Sequence, residues 1–84
     1  MPINLSNVRA VRLPADRDTM VLIRNCPFCG KEQSLNVNIK RFHECMGAYN
    51  RGALVQHAFP EPEFSNDHRE FLMTGICPEC WDNL

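Results

Sequence analysis

Cys26-Pro27-Phe28-Cys29-Gly30 is the stretch that decides this fold, because it returns almost letter for letter at Cys77-Pro78-Glu79-Cys80. Each Cys-x-x-Cys puts two sulfurs on one tight turn, close enough to bind the same tetrahedral ion. Two such turns complete a Cys₄ set of the kind that holds a structural zinc. Proline fixes φ inside the turn, and glycine accepts the positive φ needed where backbone amides fold over a sulfur. The expected ligands are therefore Cys26, Cys29, Cys77 and Cys80, with Zn²⁺ as a structural cofactor.

Outward from the first turn, the flanks read as strands. Thr19-Met20-Val21-Leu22-Ile23-Arg24 is a β-branched, nearly unbroken apolar run leading into Cys26. After the turn, Gln33 to Lys40 alternates: Leu35, Val37 and Ile39 take one face, and Ser34, Asn36, Asn38 and Lys40 take the other. That is a half-buried strand antiparallel to 19–24, with the cysteine turn between them. Before this hairpin the signal is weak. Val11-Arg12-Leu13 is a short strand candidate, and Asp16-Arg17-Asp18 reads as a turn.

Toward the second pair the period changes. Met46, Tyr49, Ala53, Leu54, His57 and Ala58 recur at helical spacing until Pro60 stops them. Pro60 to Phe64 reads as a mobile linker within the domain. Ser65 or Asp67 caps a second helix, Asp67 and Glu70 have capping-box spacing, and Gly75 ends it at a C′ position. Trp81 follows the second pair, placed to shield the sulfurs.

The chain has 84 residues, enough for one domain with a limited core, where a metal staple contributes folding free energy. No apolar run approaches the roughly 18 residues of a membrane helix. The N-terminus lacks the basic and apolar regions of a signal peptide. The expected setting is cytosolic, where paired cysteines are metal ligands or redox groups more often than disulfides. The odd fifth thiol, Cys45, fits that setting and reads as a small buried apolar group.

Other chemistries find less support. Cys45 with His43 is too small a set for a second closed site. A thioredoxin-like dithiol needs a strand and helix order in a larger fold that this chain lacks. Two Cys-Pro-x-Cys turns also resemble the iron site of rubredoxins, but Trp81, not glycine, follows the second pair, and the loop between differs. His57 falls on an apolar helical face, as packed histidines do. A closed Cys₄ set has no open position for water or substrate, and no phosphate loop or nucleophile elbow is present. The expectation is that the protein is not an enzyme and has no small-molecule substrate.

Charge is uneven along the chain. Residues 1–51 hold eight Lys and Arg against four Asp and Glu, whereas residues 52–84 hold one against six. Either the halves interleave in space and cancel, or one face is charged. A basic face would contact nucleic acid through Arg9, Arg12, Arg17, Arg24, Lys31, Lys40 and Arg41, with Phe28 and Phe42 stacking on bases.

One string resembles a known group. Gly52, Val55-Gln56, Phe59-Pro60, Ser65, Arg69-Glu70-Phe71-Leu72 and Thr74-Gly75-Ile76-Cys77-Pro78-Glu79-Cys80-Trp81-Asp82 resemble small phage and prophage zinc-ribbon-like proteins of unassigned function. The resemblance covers roughly residues 49–82, and Cys26 to Gly30 also matches members that keep the first knuckle. It implies a viral origin and expression in the cytoplasm of an infected bacterial host, but no activity. The Arg69-Glu70 pair reads either as a functional surface or, the favoured reading, as an intrahelical charge arrangement that helps order the second helix.

The expected architecture is a small α+β zinc-binding domain, with a zinc-ribbon or treble-clef-like β-hairpin core and a two-helix insertion between the cysteine knuckles. Residues 1–18 would be flexible or a short edge strand, 19–42 the hairpin with the first knuckle, 43–75 the helical insertion, and 76–84 the second knuckle. The expected function is non-enzymatic binding and modulation of a host or phage protein, the alternative being a nucleic-acid-binding zinc ribbon.

Overall fold

The computed structural model describes residues 3–5 and 7–83. Met1, Pro2 and Ser6 of the N-terminal segment, and Leu84 of the last one, lie outside the described residues. Three strands, β1 (Arg9–Leu13), β2 (Asp16–Asn25) and β3 (Glu32–Asn38), precede four helices: α1 (Ile39–Asn50), α2 (Val55–Ala58), α3 (Asn66–Met73) and α4 (Pro78–Asp82). The strands form one antiparallel sheet in the order β1-β2-β3. The molecule is thus a small α+β domain with a three-stranded sheet, in which the hairpin is joined by the short edge strand that Val11-Arg12-Leu13 suggested.

Pairing places Leu22 opposite Leu35 and Met20 opposite Val37. This common face meets the helices. Leu22, Leu35 and Val37 join Phe42, Cys45, Ala58, Phe59, Phe64, Phe71 and Leu72 in one buried cluster. Phe59 is fully buried at its centre, with its ring 6.0 Å from Phe42 and 5.1 Å, edge to face, from Phe64. Such ring pairs add about 0.5–1.5 kcal/mol each beyond the area they bury.

Several boundaries differ from the sequence expectation. The first turn falls at Pro14-Ala15, and β2 begins at Asp16. The Asp16 carboxylate holds that end by accepting from the Asp18 amide and the Thr19 hydroxyl. In the N-terminal segment Ile3, Leu5 and Val8 lie against the core. The Ile3 amide donates to the Tyr49 hydroxyl, and the Asn4 amide to the Leu72 carbonyl.

Ile39 leaves the strand. Asn38 accepts from the Arg41 amide through its side chain and so caps α1, which starts seven residues before Met46. The long helix foreseen up to Pro60 divides at Gly52, whose φ of +104° suits a residue without Cβ. Three helices, not two, therefore lie between the cysteine turns. Ser65 caps α3, but its reciprocal partner is His68, not the Asp67 and Glu70 pair.

The Pro60 to Phe64 segment is pinned instead of mobile. Phe64 is buried, and the Arg69 guanidinium donates to the carbonyls of Phe59 and Phe64. Arg69 also reaches Asn66 and Glu61, so it straps this loop to α3 and does not serve as an intrahelical charge pair with Glu70. His57 is exposed, because the short α2 turns the position away from the core. No helix among the described residues is long and apolar enough to cross a membrane.

Candidate metal centre

β2 and β3 run antiparallel into the first cysteine turn, which their own register closes: Asn25 pairs with Glu32. The Cys26 amide donates to Lys31 O, the Gly30 amide to Cys26 O, and Asn25 Nδ2 to Gly30 O. Gly30 has φ +76°. The second pair opens α4, with Cys77 at the N-cap and Pro78 in the first turn, where its missing N–H costs nothing. The Trp81 amide closes that turn on Cys77 O.

These two turns bring all four sulfurs within 4.8 Å of one another. Cys26 Sγ lies 3.7 Å from Cys80 Sγ, and Cys29 Sγ lies 3.6 Å from Cys77 Sγ. A tetrahedron with metal–sulfur bonds of about 2.3 Å has edges of about 3.8 Å. The donor set and its spacing therefore fit a tetrahedral ion, and Cys26, Cys29, Cys77 and Cys80 would hold it. Cys26 and Cys77 are buried, Cys80 is half-buried and Cys29 faces solvent, so the centre sits at the domain surface with its inner edge anchored.

The sulfurs are electrostatically unequal. Burial pushes the Cys26 thiol up, but amide donors at Cys77, Cys29 and Phe28, with the Cys29 side chain, outweigh it and bring it down to about 6. The Cys77 amide contact to Cys26 Sγ is 3.4 Å. Cys80 is pushed well above the ordinary thiol range, chiefly by a side-chain hydrogen bond with Cys77, then by burial and by Cys26 and Cys29. The surroundings thus favour the thiolate at Cys26 and the protonated thiol at Cys80, and an ion binding there would release protons.

Two polar side chains whose roles residue spacing did not reveal tie the sheet to the N-terminal segment, to α3 and to the residues leading into the second turn. Gln33 Nε2 donates to Gly75 O. Arg24, two residues before Cys26, is buried, and its guanidinium donates at 2.9 Å to the carbonyls of both Asn4 and Phe71. Its Nε has no hydrogen-bond partner and packs against Gly75. The inward phase of Met20, Leu22 and Arg24 along β2 is the one signal in the sequence that pointed to it.

Cys45 lies in the core, away from the cluster, and burial raises its pKa. His43 is exposed. Trp81, expected over the sulfurs, is 38% exposed and lines a small groove of about 140 Å³ with Leu35, Phe71 and Ile76.

The nucleic-acid residues do not gather as foreseen. Arg24 and Phe42 are buried. Arg41 is held by a two-pronged contact with Glu63, and it also pairs with Glu44. Arg9 pairs with Glu32 and Lys31 with Glu79. Arg41–Glu63 and Lys31–Glu79 join the basic half to the acidic half, so part of the charge asymmetry cancels in space. Arg12, Arg17 and Lys40 do come together, around one cleft. Phe28 remains exposed on the knuckle. No protein-family model, curated protein or solved structure matches the chain.

Proposed function

We propose that this is a non-enzymatic, phage-like zinc-binding domain that docks on a host or phage protein and modulates it in the cytoplasm of an infected bacterial cell. Zinc is the ion best suited to four thiolates at tetrahedral spacing. The cysteine turn between β2 and β3, facing the first turn of α4, is the core of a zinc-ribbon or treble-clef-like arrangement. Four protein ligands leave no coordination position for water or substrate, so the ion acts through the fold.

The observation that carries the partner reading is the outer face of the sheet. Val11 stands opposite Val21, and Arg9 opposite Ile23, on the side away from the helices. Val11 is 48% exposed, Val21 and Ile23 are half-buried, and among the described residues β1 is an edge strand of the sheet. An apolar strip beside an open strand edge is the kind of surface that takes an extended segment of another protein. The alternative, a nucleic-acid-binding zinc ribbon, would rest chiefly on Arg12, Arg17 and Lys40, because Arg24 is buried and Arg9, Lys31 and Arg41 have carboxylate partners.

The test uses metal-loaded protein and a Val11→Glu variant, exposed in parallel to bacterial lysate. The native chain should retain one stoichiometric protein that the variant loses while keeping its thermal melt. Recovery of the same proteins by both, or of none by either, would refute the reading.

A further inference from the structure

The chain carries nine Lys and Arg residues, and the fold accounts for five of them. Arg24 serves the interior. Arg9, Lys31, Arg41 and Arg69 have carboxylate partners. Among the described residues no ion pair engages Arg12, Arg17, Lys40 or Arg51. Three of these four converge from three elements (β1, β2 and α1) on one open cleft of about 580 Å³. Ligand pockets typically measure about 300–1,000 Å³.

The cleft lies where the β1–β2 hairpin meets the start of α1, and His43 adds an imidazole to it. Two carboxylates share the lining, Asp18 and Glu44, but Glu44 is engaged by Arg41. The first amides of α1, a helix of 12 residues, have no acceptor within the helix and add positive potential at the same place. Gathering unpaired cations costs like-charge repulsion that folding does not require, as their paired counterparts elsewhere illustrate.

We propose that this cleft binds the phosphate group of a nucleotide-sized phosphomonoester. Two guanidiniums suit a phosphate because each offers a planar fork of donors, and a lysine adds a mobile point charge. The convergence favours one compact dianion over an extended backbone. No phenyl, phenol or indole ring lines the cleft, so a stacking platform for successive bases is missing. This site is separate from the outer sheet strip, and it stands or falls independently of the protein-partner reading.

The test is an amide chemical-shift titration of the metal-loaded full chain with inorganic phosphate, adenosine 5′-monophosphate and adenosine. Phosphate and the monophosphate should give saturable shifts at Arg12, Arg17 and the Ile39–Lys40 turn, and adenosine should not. Arg12→Gln with Arg17→Gln should weaken the monophosphate about tenfold or more, the loss expected for one or two charge-assisted contacts. Lys40→Gln, the fallback should that pair fail to fold, should weaken it severalfold. Arg51→Gln, which removes an unpaired cation outside the cleft, should change it less than about twofold, as a distant surface substitution does. Absent or scattered shifts would overturn the proposal. So would an Arg51→Gln loss equal to that of the cleft variants. Binding of a single-stranded oligonucleotide with a steep salt dependence, in the absence of monophosphate binding, would overturn it in favour of a nucleic-acid backbone.

Discussion

Replacing Gly75 by alanine should be among the most damaging single-methyl changes available in this protein. Gly75 holds φ +73°, where an L-residue loses roughly 1–2 kcal/mol. An added Cβ would also lie 2.8 Å from Arg24 Cζ and 2.9 Å from its Cδ, with Nε closer still. Arg24 cannot retreat without cost, because its guanidinium is fixed to the carbonyls of Asn4 and Phe71. A hydrogen bond to a charged group contributes about 1.5–3 kcal/mol. Losing one such bond brings the total for Gly75→Ala to about 3–5 kcal/mol, a large share of the stability of a small domain. Denaturant unfolding at fixed excess free metal measures it, since the apparent stability depends on metal concentration. A double-mutant cycle isolates the cause. In an Arg24→Leu background, where the colliding guanidinium is gone, Gly75→Ala should cost only the backbone share of about 1–2 kcal/mol. If the two substitutions were additive within about 0.5 kcal/mol, the proposed collision would be wrong. A Gly75→Ala cost below about 1 kcal/mol would remove the backbone argument as well.

Treatment with a chelator, or loss of one sulfur by Cys77→Ser, should abolish the cooperative melt, because an ion on the four sulfurs would join a β-turn to a helix start 48 residues away; near-UV circular dichroism and dye binding report it, and an apo melt close to that of zinc-loaded protein would exclude a structural role. Glu63→Gln should lower stability at neutral pH, where the Arg41 guanidinium holds the Glu63 carboxyl below its ordinary value. That stabilisation is complete above the unfolded-state pKa, near 4.5, and is lost as pH falls through the lower folded value. The stability curves of the native protein and Glu63→Gln should therefore begin to converge as pH falls below about 4.5 and merge only below the lower folded value. Curves that stay parallel would show that the pair contributes nothing.

Particular residues show how far sequence reading reaches. Leu35 and Val37 alternate with polar neighbours, and both are buried, because side chains of a strand can only alternate. Ile39 continues that alternation by one step and so misled it: the Asn38 side chain captures the Arg41 amide and begins a helix there. Phe42, Cys45, Met46 and Tyr49 already stand at helical spacing, and they are the signal that would have moved the boundary. His57 shares the phase of its apolar neighbours, but the break at Gly52 resets that phase and leaves it exposed.

The sequence alone determined the four sulfurs. A Cys-x-x-Cys turn is local, so its capacity to ligate is written in four adjacent residues, and two such turns imply one tetrahedron. Tertiary structure alone decided the fate of the cations. Arg24 is interior because carbonyls 20 and 47 residues away meet it there. Arg41 is engaged because Glu63 folds back 22 residues to reach it. Arg12, Arg17 and Lys40 became a cluster because a hairpin and a helix start were brought side by side. A charge acquires its role from what it faces, and what it faces is set by chain segments that no local pattern records.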